Sequence, residues 1–407
     1  MPPDTLHERI TDYANRADPY PLYAELRENG VTRQADGSYL VGAYHDIAAL
    51  LHDPRISSDS RNRTDPNTVP PLRRGGRPAA FIGFDDPEHD RLRRIAMRPF
   101  GPPHSPRRID GLRAEIGRIS DELIDGLRDR GRFDVVEDFA HPLPVTVICR
   151  LLGVPHEDVP RIRAWTNEII ASLDLSPGKA RESREDAGLE ARQAIGTYLG
   201  DLADKRRDDP SDDMLSALVH DSGPDGHLTR RELMATATLL LIAGHETTVN
   251  LITNGVLTLL RRPDALRRLR ENPGLMPGAV EELLRYEPPV HLLPQRTPLT
   301  DVEVSGVTVP RGSPLVLVLA SGNRDPLRFD APDRFDPTRE DNQHFGFGGG
   351  VHSCFGAPLA RLETQLALRA LLPRLEGFRL SEDPPPYRHS PILRGPRHLR
   401  VERASGT

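Results

Sequence analysis

The sequence predicts a mostly α protein with a small β portion. Apolar residues recur at helical spacing along most of the chain. Capping signals bound many of those stretches. Strand-type runs are confined to Ser38–Val41 and to residues 301–319. The 407 residues would allow two or three domains at about 150 residues each, yet no linker, repeat or low-complexity tract divides them. Two cysteines cannot build a disulfide framework or a four-thiolate zinc site. A net charge of −6 argues against a general nucleic-acid binder. The longest apolar run, Met234 to Gly244, is too short to cross a membrane. Asp4, Glu8, Asp12 and Asp18 leave no room for a signal peptide, so a cytoplasmic protein is expected. Of the 54 basic residues only Lys179 and Lys205 are lysine, a bias that fits a GC-rich genome.

In chain order, Asp18-Pro19 opens a helix that ends at Asn29-Gly30, with proline at its start and glycine past its end. Residues 60–80 are rich in Pro, Gly and Arg and read as loop. Helical patterns follow at 87–99, 106–130, 142–152, 157–172 and 183–207. Thr229-Arg230-Arg231-Glu232 is a capping box. It starts the longest pattern in the chain, which reaches Arg262 and has an apolar middle, the expected central pillar. Helices near 264–271 and 276–286 come next. Asp301–Val309 and Ser313–Leu319 read as strands around a Pro310-Arg311-Gly312 turn. Residues 322–353 lack periodicity over an unusual length. A last helix spans 356–374.

The most informative segment is Phe347-Gly348-Gly349-Gly350-Val351-His352-Ser353-Cys354-Phe355-Gly356. Cys354 sits among glycines directly before a helix, where peptide N–H groups stabilise a thiolate. Its surroundings leave little room for a base, which suits a soft metal ligand better than a nucleophile. Cys149, in the apolar run Val147-Ile148-Cys149, reads as a core residue.

This segment resembles the haem-binding loop of the cytochromes P-450, the haem-thiolate monooxygenases: Phe-x-x-Gly-x-His/Arg-x-Cys-x-Gly is filled at every specified position, although Phe355 stands where leucine is commoner. The resemblance implies one domain over residues 1–407, an α-rich lobe with a small β-rich lobe. Its fold would be a triangular prism of helices, with the haem between the long central helix and the cysteine-loop helix. The implied cofactor is heme b, with Cys354 as the metal ligand, His352 at a propionate, and Phe347, Gly348 and Gly356 shaping the loop. Ala243-Gly244-His245-Glu246-Thr247-Thr248 is similar to the family's Ala-Gly-x-Asp/Glu-Thr motif. By that likeness Ala243 and Gly244 leave room for haem and oxygen, Thr247 hydrogen-bonds the dioxygen being reduced, and Glu246 feeds protons. His89 and Arg93, four apart on one helix face, match a propionate-binding pair, and Arg296 a further propionate arginine. Glu282 and Arg285 match the Glu-x-x-Arg pair, and Arg334 the arginine completing a structural triad that would lock the 322–353 segment.

The same likeness implies dioxygen and a lipophilic small molecule as substrates, and electrons from a ferredoxin and ferredoxin reductase. No nucleic-acid or membrane partner is implied, and the chain is expected to be a monomer of bacterial secondary metabolism. Hydroxylation and epoxidation are both open. The implied pocket walls include Leu239, Ile242, Ala243, Val290, His291, Leu292, Leu293 and Ile392, with parts of 60–84 and 165–182 and with Arg74. Arg91, Arg94, Arg98 and Arg361 are expected to form a basic patch for an acidic ferredoxin; scatter from genome bias is the competing explanation. Three other readings stand beside the monooxygenase: a thiol hydrolase using Cys354 and His352, a haem sensor or electron carrier, and a peroxide-driven enzyme.

Overall fold

The computed structural model describes residues 5–64, 80–100, 106–172 and 179–404. Arg74 and the rest of 65–79, and residues 173–178, lie outside the described residues. The chain divides into two compact units. The first joins 1–69, 120–140 and 247–407; the second joins 70–119 and 141–246. All described strands belong to the first unit, and the second is helical.

The strands are Thr32–Arg33 (β1), Tyr39–Val41 (β2), Ile56–Ser57 (β3), Arg132–Asp134 (β4), Leu292–Pro298 (β5), Val302–Val304 (β6), Val307–Val309 (β7), Leu315–Val318 (β8), Phe378–Leu380 (β9) and Arg400–Arg403 (β10). One sheet runs β1-β2-β8-β5-β3, a second β4-β10-β9, and β6-β7 form a hairpin. In the first sheet only β2 and β8 are parallel, with Tyr39 opposite Leu315. Side chains alternate across it. Tyr39, Val41, Leu315 and Leu317 enter one core with Ile47 and Phe345, while Leu40, Val316, Val318 and Leu292 enter another with Tyr23 and Leu26. Burial on both faces explains why β8 reads as a continuous apolar run rather than an alternating one.

Sequence and structure diverge at the β6–β7 hairpin. Its turn is Ser305-Gly306, both at positive φ, as a two-residue hairpin turn requires. Pro310-Arg311-Gly312 instead leads into β8, which pairs with β2 and β5.

Helices follow the sequence expectation closely. Those at Pro142–Leu152 and Met276–Tyr286 have the expected bounds, and Lys179–Asp208 extends the expected 183–207. The longest is Arg230–Leu260, whose capping box is made: Thr229 Oγ1 accepts from the Glu232 N–H at 3.2 Å, and Glu232 Oε2 accepts from the Thr229 N–H at 2.8 Å. The expected 106–130 helix is broken into Pro106–Gly111 and Arg113–Asp125. Tyr44–His52 and Met214–Val219 are helices that the sequence reading omits.

Candidate active site

The cysteine loop is built from glycine. Gly348 and Gly350 adopt φ of 68° and 64°, and a Cβ on Gly350 would stand 1.9 Å from the Leu51 carbonyl oxygen. Only glycine satisfies both constraints. The loop closes on itself: the Cys354 N–H donates to the Phe347 carbonyl at 2.9 Å, and the Gly348 N–H to that of Phe345 at 2.8 Å. This folding leaves Cys354 exposed just ahead of helix Ala357–Arg374, while Phe347, His352 and Gly356 are half-buried. Arg361, one turn into that helix, stacks its guanidinium 4.5 Å from the Phe347 ring. It also pairs with Glu281 at 2.7 Å. That pair and His344 hold the Glu281 carboxyl down to about 2 against the opposing effect of its burial.

Helix Arg230–Leu260 is buried along most of its length, but Leu239, Ile242 and Thr247 are half-covered and Ala243 is exposed. These four share one helical face. Glu246 is 2% exposed. Gly244 has a packing role: a Cβ there would fall 2.9 Å from Ile148 Cδ1, so it admits helix Pro142–Leu152. His89 and Arg93 lie on helix Glu88–Phe100. His89 is buried, with Nδ1 3.3 Å from Asp86, and burial lowers its pKa. Arg296, on β5, is 6% exposed.

The network around Glu282 is closed. Arg285 donates from Nε and Nη2 to the two Glu282 oxygens, each at 2.8 Å, and both side chains are fully buried. Arg285 also donates to the carbonyls of Asn323, Pro332 and Arg334. The expected third member, Arg334, is not in the triad. Its side chain pairs with Asp336 and is 70% exposed. Arg339 takes the place, with Nε 3.2 Å from Glu282 Oε2. The tight turn at Ala331–Arg334 aims the Arg334 carbonyl, rather than its side chain, at the network.

Two expected pocket residues are also reassigned. His291 is fully buried and shares a 2.8 Å hydrogen bond with Tyr23 Oη. Leu292 belongs to the Tyr23–Leu26 core. His291 directly precedes β5, and Leu292 is its first residue. Val290 and Leu293 pack on the Ile47 core and Ile392 on the Tyr23 core, each partly buried.

The basic patch is neutralised. Arg91 pairs with Glu232, Arg94 with Asp90 and Asp225, and Arg98 with Asp221 and Asp225. Arg361 is held by Glu281. These arginines are committed to intramolecular pairs, so they do not form the unpaired cationic face expected for docking.

Glu363, nine residues after Cys354, is missing from the sequence reading. It is fully buried, and neither carboxyl oxygen has a hydrogen-bond partner among the described residues. Burial raises its pKa well above the usual value. A single acid on the otherwise apolar face Leu359, Leu362, Ala367 is the signal that could have found it. As pH rises past about 4.5 the unfolded chain releases this proton while the folded chain keeps it. Stability therefore falls by up to about 1.4 kcal/mol per pH unit until the folded group ionises. Glu363→Gln is expected to flatten that slope in denaturant titrations between about pH 5 and 8. Identical slopes for the two proteins would show that Glu363 ionises normally in the folded state.

Comparison with known proteins agrees with this geometry. The family model described as Cytochrome P450 matches residues 39–273 and 274–402. Cytochrome P450 monooxygenase PikC of Streptomyces venezuelae is 41% identical, over 95% of this chain and 91% of its own length. Mycinamicin IV hydroxylase/epoxidase of Micromonospora griseorubida is 39% identical, over 93% and 94%. The ligand-free crystal structure of Mycobacterium smegmatis CYP164A2 superposes with a TM-score of 0.86 at 38% identity, covering 98% of this chain and 99% of that one. A glycine-built cysteine loop, a long helix carrying an acid–alcohol pair and this degree of likeness together place the chain in the cytochrome P450 family, as a monooxygenase.

Proposed function

We propose that this monooxygenase inserts one atom of dioxygen into a lipophilic small molecule of bacterial secondary metabolism, using heme b and electrons from a ferredoxin and its reductase. The observation that carries the reading is the exposed Cys354 thiol presented ahead of a helix by a loop that only glycine can build. The residues fit a haem. A thiolate is a soft donor for iron, Ala243 leaves an uncovered small-residue face on the long helix, and buried His89 and Arg296, with Arg93 and His352, supply partners for two carboxylates. Bound there, a thiolate-held haem supplies the oxidising chemistry, because the thiolate favours O–O cleavage.

The chain's own residues do the remaining work. The Thr247 hydroxyl donates a hydrogen bond on the face it shares with Ala243. Glu246, the preceding residue, resupplies protons to that hydroxyl. Leu239, Ile242 and Ala243 give the same face an apolar character that suits a lipophilic substrate and excludes water. Val290, Leu293 and Ile392 are proposed as further walls. The names of mycinamicin IV hydroxylase/epoxidase and 6-deoxyerythronolide B hydroxylase support a bulky natural product and leave both hydroxylation and epoxidation as outcomes.

Titrating macrolactones, vitamin D3 and fatty acids while following the haem spin shift tests the substrate class. A shift with fatty acids alone would overturn the bulky-product reading. Thr247→Ala is expected to keep consuming NAD(P)H while releasing hydrogen peroxide and several-fold less product. A wild-type ratio of product to NAD(P)H would remove Thr247 from proton delivery.

A further inference from the structure

A pocket of about 630 Å³ opens in the first unit, between helix Tyr20–Asn29, the C-terminal end of helix Arg230–Leu260, and the residues Tyr286, Glu287, Arg324 and Asp333. None of its residues belongs to the proposed active site. Its walls are about half apolar, with Pro21, Leu257 and Pro384, and half polar.

Four arginines line the pocket: Arg27, Arg261, Arg262 and Arg324. Arg324 pairs with Asp333 at 2.7 Å and with Glu287 at 3.7 Å, and Arg261 pairs with Asp383. Arg27 and Arg262 pair with no carboxylate among the described residues. Arg27 donates to the Ser321 carbonyl and hydroxyl at 2.9 and 3.1 Å. Arg262 donates to Tyr286 Oη and, at 3.4 Å, to the Thr258 carbonyl. Two further guanidinium groups lie close by. Arg394 shares the Tyr20 ring with Arg324, and Arg16 precedes the lining residues Ala17 and Asp18. Arg16 is 1% exposed and donates to the Thr11 carbonyl, and its Nε has no partner among the described residues. Of the carboxylates, Glu287 pairs with Arg394, while Asp18 has no cationic partner among the described residues.

Four arginines and three carboxylates, Asp18, Glu287 and Asp333, thus line the pocket, and Asp325 and Asp12 act on Arg27 and Arg16 from nearby. Burial and nearby anions act in opposite directions here: carboxylates and tyrosines hold Arg324, Arg261 and Arg394 above their ordinary values against their burial. Desolvation lowers the pKa of Arg16 and of Arg27. Buried His291 is held well below its ordinary value by desolvation and then by Arg394, Arg16 and Arg324. Guanidinium groups match the oxygens of phosphate and carboxylate in pairs.

We propose that this pocket is an anion site that takes a small oxyanion of the phosphate type, gripped by Arg27 and Arg262, with its organic remainder against Leu257 and Pro21. The site is independent of the oxygenation chemistry, and its occupancy raises the stability of the folded chain by mass action.

The test uses the full haem-loaded protein in thermal unfolding, with inorganic phosphate or glycerol 3-phosphate compared against sodium chloride at matched ionic strength. Phosphate is expected to raise Tm along a saturable curve that chloride does not reproduce. Tighter binding of glycerol 3-phosphate assigns the site to an organic ester, and equal binding assigns it to phosphate itself. Arg27→Gln and Arg262→Gln are expected to weaken binding at least about tenfold. Their haem absorption spectra serve as the check of fold. Asp18→Asn is expected to tighten binding by removing a like charge, a gain that a poorly folded variant cannot imitate. Superimposed phosphate and chloride curves in the wild type, or undiminished binding in both arginine variants, would overturn the proposal.

Discussion

Replacing Cys354 by alanine is expected to abolish the long-wavelength absorption band that reduced haem-thiolate proteins show with carbon monoxide, and with it all monooxygenation. The fold should survive. Cys354 is exposed, its own backbone makes the loop's closing bond to Phe347, and alanine preserves that N–H. The loop's shape is set by Gly348 and Gly350, which the substitution leaves alone. The loss is therefore of a donor atom and not of a scaffold. Circular dichroism and Tm close to wild type, with the band gone, is the expected result. Survival of the band would refute Cys354 as the ligand, because Cys149 is buried with its thiol pushed up to about 12 and cannot readily replace it.

The second large effect is on stability. Breaking the Glu282–Arg285 pair from one side is expected to cost about 3–5 kcal/mol, since it strands a fully buried charge. In Arg285→Leu, Glu282 would keep only Arg339 as an ionic partner, and the Asn323 and Pro332 carbonyls would lose the Arg285 donor, while the Arg334 carbonyl keeps Arg339 Nη2 at 3.4 Å. In Glu282→Leu, the Asp336 N–H and the Asn342 amide would lose their acceptor as well. Replacing both residues by apolar ones should cost less than the sum of the single changes. Denaturant unfolding of the three variants checks this. An additive double mutant would show that the two side chains act separately. Because the network grips Asn323, Pro332, Asp336 and Asn342, proteolysis of the single variants should begin in the 322–353 segment.

That segment shows where sequence reasoning reaches its limit. Helices were legible because their signals are local: Thr229 and Glu232 cap each other across three residues, and Met276–Tyr286 has its expected ends. Strands were legible where an apolar run marks them, as at Ser38–Val41 and Ser313–Leu319, and not where the run is short and the partner remote. Ile56 becomes strand only by lying beside Pro298, and Val401 by lying between Phe133 and Leu380. The same limit governs the triad. The family likeness picked out Glu282 and Arg285, but Arg334 and Arg339 both sit in a structureless stretch, and only the turn at Ala331 decides which of them reaches the carboxylate. His291 was misread for a related reason. The Tyr23 hydroxyl that claims it lies 268 residues away. The arginine face on Glu88–Phe100 looked cationic because its partners, Asp221, Asp225 and Glu232, come from another part of the chain.

Helix Lys179–Asp208 has a practical consequence of its own. It holds both lysines of the chain, one at its first residue and one in its last turn. At 1.5 Å per residue they stand roughly 40 Å apart along one rod. Apart from the α-amino group, amine-directed coupling can therefore address this helix alone. Dyes, tethers or surfaces attached in that way would be carried by the helical unit, leaving the cysteine loop, Arg361 and the arginine pocket chemically untouched.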